Sequence, residues 1–347
     1  MNNLLVMMAV KTADGDKLPS LLFWPILALL IALLAFMYLM FLRKRAPKII
    51  GICIYIALAL CIIAAIVCMA LIGKHYADTI KNDSYYSPYL KKAPLYISAI
   101  VLTATIIGLT FLLGRKEKFS FDSRSVAFGA ICVAMSFALS YVRLFRLPQG
   151  GSVTLASLLP IMIFSYIFGV KKGLLIGLIY GVLQAIQDPY IIHPMQFLLD
   201  YPIAFSAIGI SGAFSKYKVF KKYPQVALLL GGILASVLRY LSHFLSGAFA
   251  FGAYAKGQNV YAYSLAYNSF VFVDIAVVLA VGMILFSSKA FMNEVVYKQR
   301  ARITVASAQV ENSTQIEVAG NEQIASEVCC AEQTETVKEE ITSQDNK

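Results

Sequence analysis

The chain alternates between long apolar runs and short polar breaks. Three uniform runs come first: Leu18 to Leu42, Ile49 to Gly73 and Pro94 to Gly114. A helix needs about 20 mostly apolar residues to cross the hydrocarbon of a bilayer, and each run is long enough. The first exceeds a signal-peptide core and lacks a strongly basic start, so it reads as a retained helix. A charged break follows the third run: Arg115, Lys116, Glu117, Lys118, Asp122 and Arg124. Six less uniform runs lie beyond it, roughly Ser125–Leu144, Leu155–Val170, Leu174–Ile186, Met195–Phe214, Gln225–Phe251 and Ala262–Phe286. The run from Leu174 is the shortest, so it must be tilted or sheltered by its neighbours. Several of the six carry polar residues inside, unlike the first three. The pattern predicts an all-α membrane protein of nine helices. Residues 1–118 form a three-helix N-terminal extension, residues 119–300 a six-helix domain, and residues 301–347 an acidic tail without a packed core.

Composition narrows the class. The chain is 59% hydrophobic and 14% charged, against about 25% charged in soluble domains. That leaves too little polar surface to cover a folded body in water, which excludes a soluble enzyme. It also excludes disorder over most of the length. The net charge of +11 is uneven: from Val305 onward there are nine acidic residues and two lysines, and the rest carries 28 basic and 10 acidic residues. A basic balance raises nucleic acid as a partner. Here the cations sit in short clusters between apolar runs, the distribution that orients membrane helices, so no nucleic acid is expected. The clusters Arg43–Lys48, Arg115–Arg124, Lys171–Lys172, Lys216–Lys222 and Lys289–Arg302 all fall on one side of a nine-helix arrangement. The positive-inside rule makes that side cytoplasmic, the N-terminus outside and the C-terminus inside. Lys74, Lys91, Lys92, Arg143 and Arg146 fall on the other side and count against the rule without reversing the bias.

Candidate chemistry gathers at the outer ends of the last six runs, where each polar group in the bilayer is a functional candidate. Pro148, Gln149, Gly150, Gly151 and Ser152 join two runs, and a proline followed by two glycines makes either a plain turn or a mobile lid. Asp188-Pro189 and His193-Pro194 break helix at the surface. Asp200 then falls about two turns into the next run, paired with Arg239 or facing a ligand. Arg239 and His243 are four apart and share a helix face. Tyr263, Tyr267 and Asn268 lie near the boundary, as an interfacial belt or as part of a site. Asp274 is deeper, a candidate structural hydrogen-bond partner. A carboxylate, histidines, an asparagine and many aromatics suit a small, flat, cationic heteroaromatic ligand. The histidines lack matched spacing for a metal, and the six cysteines, Cys329-Cys330 included, show no metal or disulfide framework. There is no nucleophile elbow and no phosphate-binding loop for ATP hydrolysis. No cofactor is expected.

Five ordered stretches carry a family resemblance: Leu147–Thr154 (LPQGGSVT), Gly173–Gln184 (GLLIGLIYGVLQ), His193–Phe205 (HPMQFLLDYPIAF), Leu238–Gly247 (LRYLSHFLSG) and Tyr263–Asn268 (YSLAYN). Residues 121–290 resemble the thiamine-specific substrate-binding (S) subunits of energy-coupling factor transporters. The resemblance implies a six-helix S-component bundle with an outward-facing thiamine pocket. By position, Asp200 stands where an acidic residue, often glutamate, reads the aminopyrimidine. His243, Tyr263 and Asn268 match ligand-contacting positions, and Tyr190 and Tyr201 match aromatics near the pocket. Phe251 stands where some members stack a tryptophan on the ligand. The Pro148–Ser152 loop would be the lid. Ala130 and Ala134 would dock a transmembrane coupling (T) subunit, and two separate ATP-binding subunits would supply energy; ordinary small-residue helix packing explains these alanines equally well. The three extra helices depart from the family pattern. The expected function is high-affinity thiamine capture and uptake at the cell membrane. Other readings are uptake of another heteroaromatic vitamin or a thiamine precursor, an intramembrane enzyme using Asp200 and His243 as acid and base, and a structural or sensing role for the added helices.

Overall fold

The structure is a computed structural model that describes residues 18–43, 47–80, 92–117, 119–148, 150–220, 222–255 and 258–305. Gln149, Cys329, Cys330 and the acidic tail beyond residue 305 lie outside the described residues. The three uniform runs form α1 (Leu18–Leu42), α2 (Pro47–Ile80) and α3 (Lys92–Leu113). Apolar side chains and a backbone that satisfies its own hydrogen bonds make helix the stable form in lipid. Next comes α4 (Ser123–Ser140), entered through Asp122, whose N–H donates to Ser125 Oγ at 3.0 Å. A short antiparallel hairpin follows, β1 (Arg143–Arg146) and β2 (Ser152–Thr154), with Arg146 opposite Ser152. Gly150 turns it with φ +86°, a conformation that favours glycine. The chain continues through α5 (Leu159–Phe168) and α6 (Val170–Gln187). A broken segment then runs through α7 (Pro194–Leu198), a π-helical turn Leu199–Ile203, α8 (Ala204–Ile208) and a 3-10 turn Gly209–Gly212. The helices α9 (Pro224–Ala250), α10 (Val260–Asn268) and α11 (Phe270–Ser287) complete this body.

Among the described residues seven helical stretches are long and apolar enough to cross a membrane. Seven of the nine expected runs correspond to them. The run at 155–170 is the shorter helix α5, and the run at 195–214 is the broken segment. Two expected boundaries are corrected. The expected short run Leu174–Ile186 belongs to α6, which begins at Val170 and takes Lys171 and Lys172 into its first turn. Those lysines are tolerated because they are partnered. Lys171 Nζ donates to the Glu117 carbonyl at 3.1 Å, and Lys172 Nζ lies 3.6 Å from Asp122 Oδ1. The first run of the core stops at Ser140 because residues 143–146 pair as a strand.

The broken segment is wedged between α6 and α9 by backbone contact. A Cβ on Gly177 would run into the Phe205 carbonyl oxygen, and one on Gly181 into that of Tyr201. Small residues at four-residue spacing let helix backbones approach this closely. The described residues on either side of residue 118, up to residue 288, fall within one compact unit. Leu95, Ala99, Leu102 and Ile106 of α3 share one apolar cluster with Leu199, Ala207, Leu238 and Phe249. Tyr96 meets Phe249 edge-on at 5.1 Å. The described residues 289–305 belong to a second unit, with a short helix Lys289–Phe291, a π-helical turn Met292–Tyr297 and a Glu294–Lys298 ion pair at 2.7 Å.

Candidate functional site

A cavity of about 100 Å³ lies under the β1–β2 hairpin, walled by α4, α6, α9, α10, the broken segment and the turn Gly150–Ser152. The proline breaks build its floor. Tyr201 OH accepts the Tyr190 N–H at 2.8 Å and donates to the Asp188 carbonyl at 3.1 Å. This ties the irregular stretch after α6 to the π-helical turn, and Asp200 projects from that turn into the cavity wall.

Asp200 is held from two sides. Its Oδ2 accepts from Gln196 Nε2 at 2.8 Å, and its Oδ1 lies 2.7 Å from His243 Nδ1. Gln196 is itself fixed by donating to the Tyr190 carbonyl at 2.7 Å. A carboxylate only accepts, so His243 Nδ1 is the donor in this bond. His243 Nε2 has no hydrogen-bond partner among the described residues. Asn268 is buried, and its Nδ2 donates to the His243 carbonyl at 3.1 Å and to the Ser264 carbonyl at 2.9 Å. The bond ties α10 to the turn of α9 that bears the histidine.

The pairing of Asp200 with Arg239 that the sequence left open does not form. Arg239 Nη1 binds Asp274 Oδ2 at 2.7 Å, and its guanidinium lies 5.2 Å from the centre of the Phe205 ring. Asp274, on α11, is the structural partner that its depth suggested. Aromatic groups supply the rest of the wall. Phe251 is buried at the end of α9, 5.8 Å from the Tyr190 ring, and Tyr201, Phe205 and Phe270 also line the space. Tyr263 does not line it. Its ring stacks at 6.0 Å on Tyr267, one turn further along, and Tyr267 does line the cavity.

The hairpin closes the outer rim. Arg143 Nη1 and Arg146 Nη2 both reach Asp188 Oδ2, at 2.7 and 2.9 Å. The Gly151 N–H donates to Tyr267 OH at 3.3 Å. Pro148 is exposed beside the turn, and Gly150 packs against Tyr190. Of the expected site residues the structure gathers Asp200, His243, Asn268, Tyr190, Tyr201, Phe251, Gly150, Gly151 and Ser152 around one space. Ala130 and Ala134 lie elsewhere, exposed on α4. The sequence reading missed Gln196, Arg143 and Phe205 as wall residues. Gln196 had a signal, since it precedes Asp200 by four residues on a helical stretch. Phe205 had none beyond its apolarity. Among the described residues no cluster of side chains could hold a metal ion.

A helical body with a cavity sunk among apolar spans and covered by a hairpin defines a multi-pass membrane protein. Known proteins agree with that class. The family described as thiamine transporter protein (Thia_YuaJ) matches residues 126–294. The thiamine transporter ThiT of Bacillus subtilis (strain 168) is 43% identical over 143 residues, 39% of this chain and 74% of that protein. ThiT of Lacticaseibacillus paracasei is 29% identical over 173 residues, 45% of this chain and 84% of that protein. A solved ThiT structure from Listeria monocytogenes is 26% identical and covers 48% of this chain and 94% of its own, with a TM-score of 0.44. The chain belongs to the thiamine transporter family. The family match begins inside α4, so α1–α3 lie before it.

Proposed function

We propose that the protein binds thiamine with high affinity in the hairpin-covered cavity and works in its uptake as the S component of an energy-coupling factor transporter. The carrying observation is the Asp200–His243 pair at 2.7 Å in an aromatic-lined cavity, in a chain of this family. Thiamine joins a neutral aminopyrimidine to a cationic thiazolium ring. Asp200 accepts hydrogen bonds from the aminopyrimidine, with His243 fixing the carboxylate's orientation. Phe251, Tyr190 and Tyr201 offer ring faces to the cation, an interaction that strengthens when water is excluded. Asn268 positions His243, and Tyr263 supports the cavity through Tyr267.

The cavity opens outward in this reading. The opposite end carries Lys171 and Lys216 on Glu117 and Lys172 on Asp122, and such cations mark the cytoplasmic side. The N-terminus is then outside and the C-terminus inside. The Pro148–Ser152 turn is the lid. The exposed small face of α4 at Ala130 and Ala134 admits close helix packing by a T subunit, and two ATP-binding subunits drive the cycle.

Thiamine titration of the purified full-length chain tests the assignment. Saturable binding is expected, weakened roughly 100-fold in Asp200→Ala and at least tenfold in His243→Ala, because each leaves a buried polar partner unpaired. Pyrimidine and thiazole fragments as competitors separate thiamine from its precursors. Absence of saturable thiamine binding overturns the assignment.

A further inference from the structure

We propose that Asp274 is a positioning residue for ligand capture, one carboxylate that holds both Arg239 in the cavity wall and the root of the hairpin above it. The inference rests on the thiamine-binding reading. Asp274 is 1% exposed. Its Oδ1 accepts from the Thr154 N–H at 3.0 Å and from Thr154 Oγ1 at 3.2 Å, while Oδ2 accepts from Arg239 Nη1 at 2.7 Å. Three donors from two elements thus meet on one side chain of a third.

Position distinguishes this cluster from ordinary helix glue. Thr154 ends β2, the strand that leads out of the lid. Beside it Val153 is fully buried against Phe270 and Val271, and Phe270 lines the cavity. Arg239 lines the same cavity and lies over Phe205, another wall residue. A buried ion pair is a poor source of stability alone, since apolar residues of similar volume usually serve as well or better. An ion pair that also grips a lid strand and fixes a wall residue has a use that apolar packing lacks.

The hairpin has a second carboxylate grip at its other strand. Arg143 and Arg146 meet Asp188 there, and the Asp188 side chain is 31% exposed against 2% for Asp274. An ion pair holds less firmly as its exposure to solvent rises, and the Asp188 grip is the more exposed of the two. The hairpin therefore releases at Asp188 and pivots at Thr154, and Asp274 sets where the lid returns relative to Arg239. Dissociation of a bound ligand requires lifting the lid against this root, so the root governs the off-rate.

Association and dissociation rates of thiamine on the full-length chain test this, beside the binding-competent fraction from stoichiometric titration. Thr154→Val keeps shape and the backbone N–H and removes one hydroxyl; its off-rate is expected to rise about fivefold with little change in on-rate. Asp274→Asn keeps shape and removes the charge that holds Arg239; its off-rate is expected to rise about 30-fold or more. A purely structural role would lower the competent fraction and leave the off-rate of the remaining molecules unchanged. That result in Thr154→Val overturns the proposal even where Asp274→Asn fails to fold. No thiamine binding by the unaltered chain overturns the thiamine assignment together with this role, whereas normal binding with unchanged variant off-rates overturns this role alone.

Discussion

The helices α1–α3 and the body from α4 to α11 are both apolar, yet they use their polar residues in opposite ways. In α3 the hydroxyls of Ser98, Thr103, Thr105 and Thr110 each donate to the carbonyl four residues back. They satisfy themselves and join nothing. In the later body Ser242 donates to the Leu199 carbonyl at 2.6 Å, Ser264 to that of Phe244 at 2.7 Å, and Ser165 to that of Gly209. Each of these bonds joins two elements. Burial sets the central helices apart, with 17% of the α2 span buried against 56% of the α6 and α9 spans, while α1 and α4 are alike at 33%. In lipid, apolarity does not mark an interior, because the solvent is as apolar as the core. Small residues and cross-element hydrogen bonds mark it, and the cavity forms where they are densest.

The largest expected effect comes from disturbing that density. Gly181 has no room for a Cβ, since the Tyr201 carbonyl occupies the place. Gly181→Leu pushes the turn that carries Asp200 away from α6. A loss of about 3 kcal/mol, the upper end for overpacked interiors, corresponds to roughly 100-fold in thiamine affinity. Normal affinity in that variant would break the comparison, because the close packing would then not shape the site. The junction is next. Gly169 has φ +100°, and the Glu117 carboxylate fills its side-chain position. Gly169→Ala combines backbone strain with that clash at about 2 kcal/mol. Thermal stability should fall by several degrees, with thiamine affinity changed less than in Gly181→Leu.

The chain's class, its long helices and about half of the wall were legible in the sequence, because run length and the proline breaks at Pro189 and Pro194 act locally. Asp200 and His243 stood out as polar groups in apolar surroundings. Partnership was not legible. Arg239 had two carboxylates within plausible reach, and only packing of α9 against α11 gives it to Asp274. Tyr263 and Tyr267 share a face, and helix rotation alone decides which one reaches the cavity. The hairpin was hidden because Arg143–Arg146 is short and has no strong alternation. The start of α6 was misjudged because Lys171 and Lys172 read as a loop until Glu117 and Asp122, distant in sequence, are placed beside them.

A third variant asks whether the two regions are separable. Ala99 of α3 is 1% exposed and shares a cluster with Leu199, the neighbour of Asp200. Ala99→Leu overpacks this contact at about 1 kcal/mol. Because Leu199 belongs to the same turn as Asp200, thiamine affinity should fall about fivefold along with stability. A drop in melting temperature with unchanged affinity would show that the extension packs on the body without bearing on the site.

The smallest effect should come from the lipid face of the extension. Ile63 of α2 is 55% exposed, and its neighbours Ile56, Leu60, Ile66 and Val67 are exposed as well. Truncating such a side chain in water would expose less apolar surface, but in a bilayer the lost methyls are replaced by lipid tails of the same polarity. Ile63→Ala should therefore shift stability by no more than about 0.5 kcal/mol, the range of surface substitutions away from special features, and leave thiamine affinity unchanged. The measurement is thermal unfolding of the full-length chain in lipid nanodiscs. A fall of several degrees would mean that protein and not lipid covers this face, and the contrast between a lipid-facing extension and a cross-linked body would have to be redrawn.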